Sequence, residues 1–172
     1  MLLIAVPDAT GSFEVTERLR LAQPTSALTV APPDISRAGA MFRGADVSAG
    51  EVQISAGDQP VLAPATVTKA VTLAAAGDRF TMRYRLDGVT VRSRPSTAAR
   101  ALAAIGPLSA RLPADLPVVV VVSGPTVLGI DCPLEPPAGQ SCGVDGAPRW
   151  TLAAPLRASV ALATVQFDLP VD

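Results

Sequence analysis

Histidine and asparagine are absent from the 172 residues, and lysine occurs once, at Lys69, against thirteen arginines. Without histidine there is no Ser–His–Asp or Cys–His catalysis, no His-ligated zinc or haem, and no histidine pH switch. Without asparagine no N-x-S/T glycan can be attached. Aromatic residues make up only 3% of the chain. Sugar-stacking platforms and base-stacking surfaces for single-stranded nucleic acid are therefore disfavoured. Phe13, Phe80, Tyr84 and Phe167 all fall on core-facing positions, and the single tryptophan, Trp150, reads as core or loop cover. No apolar run approaches the roughly 20 residues that span a bilayer as a helix; the longest, Leu116–Val122, already contains Pro117. The net charge of −1 gives no long-range attraction to nucleic acid or to an anionic membrane. G-x-S-x-G, G-x-G-x-x-G and G-x-x-x-x-G-K-[ST] motifs are all missing, and no cofactor is implied.

What is present describes a globular chain. Nearly half of it, 49%, is hydrophobic and 17% is charged, which argues against disorder. The length suits one domain over residues 1–172. Much Ala, Val, Pro, Gly and Arg with little Lys and Asn fits a GC-rich, bacterial coding sequence. The opening MLLIAVPDATG lacks a basic region and is too short in apolar residues for a signal peptide. It reads as a first strand, or as the start left once an export signal is gone. The two cysteines, Cys132 and Cys142, bracket the Pro- and Gly-rich loop CPLEPPAGQSC. An even count at short spacing, with no zinc ligand set around it, predicts a disulfide and an extracellular or cell-surface location.

Period-two alternation recurs along the chain and predicts strands. Phe13, Val15, Leu19 and Leu21 alternate with Glu14, Thr16, Arg18 and Arg20. Phe80, Met82, Tyr84 and Leu86 alternate with Arg79, Thr81, Arg83 and Arg85. Asp87-Gly88 follows at once and predicts a two-residue hairpin returning through Val89 and Val91. Further strands are expected around residues 27–31, 47–54, 59–62, 66–73, 118–122, 126–130, 150–153 and 158–169. The run VVVVV reads as a strand covered on both sides. Long loops are expected at Gln23–Pro33 and Cys132–Pro148. The Ala-rich stretch from Ser96 to Ile105, opened by a possible N-cap and closed by Gly106-Pro107, predicts one short helix around residues 97–105. The whole predicts an all-β, antiparallel β-sandwich of immunoglobulin-like architecture carrying that helix. The Cys…Trp…Cys arrangement of true immunoglobulin domains is absent.

Three groups could carry chemistry. Seven arginines lie between Arg79 and Arg111, offset only by Asp87. In the expected hairpin, Arg79, Arg83, Arg85, Arg92 and Arg94 share one outward face, with Arg83 opposite Arg92. Like charges so opposed cost up to about 1 kcal/mol. Either acids on a neighbouring strand, such as Glu14 and Glu17, neutralise them, or the face binds an anionic ligand or partner, since guanidinium forks suit carboxylate and phosphate. Asp131, Glu135 and Asp145 are loop carboxylates that hydrolysis or calcium would need to converge. Thr66 and Lys69 pair a hydroxyl with a lysine, but on a strand they point to opposite faces. None of these groups supplies a catalytic or metal site. The expectation is a non-catalytic structural or protein-interaction module, with a protein partner or self-assembly and no nucleic acid. The stretch Leu2–Val6 is a candidate for pairing with a neighbour's edge. The alternative is a module that binds an anion through its arginine face.

Overall fold

A computed structural model describes residues 1–92, 99–109, 112–113 and 115–169. Thirteen strands account for most of them: β1 (Leu2–Pro7), β2 (Phe13–Val30), β3 (Ser48–Ala56), β4 (Gln59–Val61), β5 (Val71–Asp87), β6 (Thr90–Arg92), β7 (Arg100–Ile105), β8 (Pro117–Ser123), β9 (Val127–Asp131), β10 (Gly143–Gly146), β11 (Arg149–Leu152), β12 (Leu156–Arg157) and β13 (Ala163–Asp168). Helical structure among the described residues is limited to short 3₁₀ turns at Ile35–Ala38, Ala40–Phe42, Pro137–Gly139 and Ala158–Val160.

The strands form two packed sheets. The larger runs β10-β11-β8-β1-β2-β5-β3-β4, with β12 also on β8, and the smaller runs β6-β7-β13-β9. Alternation decides which side chains fill the space between them. Phe13, Val15 and Leu19 of β2, and Phe80, Met82, Tyr84 and Leu86 of β5, are buried. They meet Ala101, Ala103, Val165 and Phe167 of the smaller sheet, all buried too. Phe13 and Phe167 join the layers edge to face, with ring centroids 5.4 Å apart. Such a pair contributes about 0.5–1.5 kcal/mol beyond its area.

The pleated segments sit close to where alternation puts them, but several expectations about their partners fail. The chain does not double back at Asp87-Gly88. β5 already has β2 on one edge and β3 on the other, so no edge remains for β6. Gly88 has φ +74, whereas Asp87 is not among the residues of positive φ, so the type I′ geometry is not made. Val89 drops into the core, and β6 pairs with β7 in the opposite sheet. A Cβ on Gly88 would lie 2.0 Å from the Asp46 carbonyl oxygen. Glycine is needed there for a crossing between sheets.

The helix expected around residues 97–105 is instead β7 across its described part, Arg100–Ile105; residues 97 and 98 lie outside the described residues. β7 is hydrogen-bonded on both edges, by β6 and β13. That ladder outweighs the helix propensity of alanine, whose small side chain suits a strand pressed against the larger sheet. The loop expected at Gln23–Pro33 is largely strand, since β2 continues to Val30 past a bulge in which Leu21–Pro24 stand opposite Asp78. The Cys132–Pro148 loop contains β10. The pairing is not wholly antiparallel either: β1 and β8 run parallel, Leu2 to Ala5 matching Val119 to Val122. This makes β1 an interior strand with no free edge, so Leu2–Val6 cannot receive a neighbour's strand. The Cys132 and Cys142 sulfurs are bonded, at 2.03 Å. No described helix is long and apolar enough to cross a membrane.

Candidate binding face

The outward side of the larger sheet collects the residues that sequence reasoning singled out, in a different arrangement. Paired residues on adjacent strands project to the same side, so the registers give complete rows. One row runs Val144, Thr151, Val121, Ile4, Thr16, Arg83, Gln53 from β10 to β3. The next runs Val119, Leu2, Arg18, Thr81, Ser55. Beyond it Arg20 faces Arg79. On the other side Val6 faces Glu14, which faces Arg85. The face is thus divided in two. Its β8–β1 half is aliphatic, with Leu2, Ile4, Val119 and Val121 half-buried, Val6 41% exposed and Val144, at the β10 margin, 49% exposed. Its β2–β5 half carries Arg18, Arg20, Arg79 and Arg83, all exposed.

The five arginines expected to share a face part company. Arg79, Arg83 and Arg85 keep it. Arg92 faces Ala101 in the other sheet, so the Arg83–Arg92 opposition does not exist. Arg94 lies outside the described residues. Arg85 is committed locally: its guanidinium is 3.0 Å from Asp87 and 3.6 Å from Asp8, and it donates to Thr10 and Ser12 hydroxyls at 3.3 Å. Burial opposes ionisation of Asp8, but hydrogen bonds from Thr10 and Ser12, with Arg85 nearby, outweigh it and hold that carboxyl below its usual range. Arg18, Arg20, Arg79 and Arg83 make no ion pair among the described residues.

Arg83 has a setting the others lack. It lies in an open groove of about 680 Å³ lined also by Gln53, Ser55, Thr81, Asp58, Pro60 on the short edge strand β4 and Leu62 just after it, so the groove holds one carboxylate, Asp58, beside the one guanidinium. Leu62 is 95% exposed. A second concavity, of about 470 Å³ beside the β2 bulge, is lined by Leu19, Leu21, Pro24, Leu28 and Leu112 among others, and none of its lining residues is charged.

Glu17 is the residue sequence reasoning misplaced. It does not neutralise the arginines; it points into the core and is fully buried. Its carboxylate accepts from the Leu108 N–H at 2.8 Å, the Tyr84 hydroxyl at 3.3 Å and the Ser109 hydroxyl. Burial pushes its pKa up, and the bonds from Ser109, Leu108 and Tyr84 recover part of that cost. Burial, reinforced by Glu17, also raises Tyr84 well above its usual value. The cluster ties the segment after β7 to the larger sheet, in company with the Val30–Ser109 bridge. The signal was available in the sequence, because position 17 has the parity of Phe13, Val15 and Leu19.

The remaining candidates do not converge. Asp131 and Asp145 are exposed, and the Asp145 carboxylate accepts from the Ala147 N–H at 2.9 Å, as an ordinary turn. Among the described residues no three acids or cysteines gather as metal ligands. Thr66 and Lys69 are exposed outside any strand. Trp150 is half-buried and donates to the Val127 carbonyl at 3.2 Å. The run VVVVV, read as covered on both sides, is covered on one only: Val119 and Val121 on its outer side are half-buried beside Leu2 and Ile4. In comparisons with known proteins, no family model matches the chain and no curated protein matches it.

Proposed function

We propose that the chain is a non-catalytic β-sandwich of immunoglobulin-like architecture, secreted or held at the cell surface of a bacterium, that acts as a structural or protein-interaction module. The observation that carries this reading is the aliphatic half of the outer face. A sheet facing water on one side normally alternates apolar with polar, yet β1 and β8 present leucine, isoleucine and valine on both sides. Contiguous exposed apolar surface rimmed by polar groups marks interfaces. The Cys132–Cys142 bond supports an oxidising compartment. The absence of histidine and the scattering of the loop acids support a non-catalytic role.

The test places a photo-crosslinking residue at Thr16 on the outer face and, as control, at Leu128 on β9 of the smaller sheet. With the extracellular fraction of the source organism, discrete cross-links are expected from Thr16 only. Equal yields, or none from Thr16, refute the reading. A second reading, binding of an anionic ligand, is favoured by the Arg20–Arg79 apposition and by Arg83 in its groove. A thermal-shift screen against phosphates and polycarboxylates checks it, since a ligand that binds only the folded state raises the melting temperature. No shift with any anion removes it.

A further inference from the structure

The two halves of the outer face are set at a fixed distance, and that distance specifies a partner. Val121, Ile4, Thr16 and Arg83 occupy one row on four neighbouring strands. Arg83 lies two strand spacings of about 4.8 Å from Ile4 and three from Val121, roughly 10 to 14 Å. An extended polypeptide advances about 3.3 Å per residue, so it covers that distance in about three to four residues. We propose that the outer face binds a polypeptide segment with an aliphatic anchor and, about three to four residues along, a carboxylate, the anchor lying on Ile4 and Val121 and the carboxylate on Arg83 in its groove. This rests on the protein-interaction reading above and gives it a partner chemistry.

Charge complementarity selects that partner over the other occupants. Arg18, Arg20, Arg79 and Arg83 crowd one half of the face, with Arg20 directly opposite Arg79. Acidic side chains relieve that repulsion, and guanidinium takes a carboxylate in a bidentate fork. A second copy of this chain would bring five more guanidinium groups to a face that already holds five, Arg85 included. A lipid surface is less suited, since the net charge of −1 offers it no long-range attraction. Past Arg83 the groove reaches Pro60, two strand spacings on across β3 and β4.

The experiment is an NMR shift titration with the synthetic peptide acetyl-Leu-Val-Leu-Ser-Ser-Ser-Glu-Glu-Glu-amide and a twin carrying glutamine in place of each glutamate. The first peptide is expected to perturb Ile4, Val121 and Arg83. Its affinity should fall at least tenfold in the twin, in Arg83→Gln, and in the Ile4→Thr/Val121→Thr variant. All three residues face outward, and thermal melts of the variants check that they fold. Equal binding of both peptides on the aliphatic rows overturns the carboxylate assignment and leaves the protein-interaction reading standing. No binding of either peptide, with cross-linking from Thr16 retained, overturns this inference alone. Loss of both overturns the reading beneath it as well. Concentration-dependent dimers by light scattering, abolished in Ile4→Thr/Val121→Thr, would assign the face to a second copy. Binding to phosphatidylserine vesicles that the same variant abolishes would assign it to a membrane. Either result also overturns the inference.

Discussion

Replacing Glu17 with glutamine should make the protein less sensitive to pH without making it less stable at neutrality. In the native state the carboxyl is fully buried and its pKa is raised, first by that burial. In the unfolded chain it returns to about 4.3. Between the two values the folded state holds a proton the unfolded state has lost, so unfolding becomes easier as pH rises. The stability is fully present below about pH 4.3 and is lost as pH climbs through the raised native value. The loss is at most about 1.4 kcal/mol per pH unit. For a chain of this size 1 kcal/mol moves Tm by about 2–4 °C, so the slope is at most roughly 3–6 °C per unit. Glutamine keeps the shape and cannot ionise. Its carbonyl can accept from Leu108 and Tyr84, and its amide can donate to the Ser109 oxygen, so each of the three contacts is kept. The assay is Tm by differential scanning calorimetry for both proteins from about pH 4 to 8. Their difference cancels the other carboxyls, including Asp8, whose lowered pKa acts in the opposite direction, its contribution being lost as pH falls. The wild type should lose ground to the variant steadily as pH rises. Parallel curves would refute the reasoning.

Three further outcomes follow from the fold. Gly88→Ala should cost more than about 3 kcal/mol in urea denaturation or abolish folding, because its Cβ would lie 2.0 Å from the Asp46 carbonyl oxygen in a backbone of φ +74; a cost of 1 kcal/mol or less would return Asp87-Gly88 to a simple turn. Opening the Cys132–Cys142 bond, by reduction or by serine at both positions, should cost about 2–3 kcal/mol from loop closure over the ten-residue separation, seen as a Tm lower by roughly 5–10 °C. Arg79→Glu, which turns the Arg20 pair from like to opposite charge, should stabilise by about 0.3–1 kcal/mol, with most of the gain lost at high salt.

Positions along the strands were legible; partners were not. Phe80, Met82, Tyr84 and Leu86 announce a one-sided strand because side-chain alternation is a local property. Whether β6 returns beside β5 or crosses to the other sheet depends on β2 and β3 occupying both edges of β5, which no local pattern records. Asp87-Gly88 reads locally as a two-residue hairpin, yet only Gly88 takes a positive φ and it serves a crossing between sheets. The stretch Ala101–Ile105 shows tertiary context overruling propensity: Ala101, Ala103, Ala104 and Ile105 are buried in a strand paired on both edges, but alanine reads as helix on its own. The same limit applied to the site. Arg79, Arg83 and Arg85 share a face because they share a strand. Arg92 left it with the failed hairpin. The aliphatic half of that face needed the β1–β8 pairing before its rows could be assembled.

That parallel pairing bears on how the molecule is made. Leu2 waits for Val119, 117 residues later in the chain (119 − 2), and at about 5–20 residues per second a ribosome takes roughly 6 to 23 s to supply it. Until then a strand greasy on both sides has an uncapped flank, a ready template for mispairing with other nascent chains. When the chain is expressed without export, holding chaperones would have their greatest value during that interval, and slowing translation beyond residue 30 should lower the yield of native protein by prolonging it.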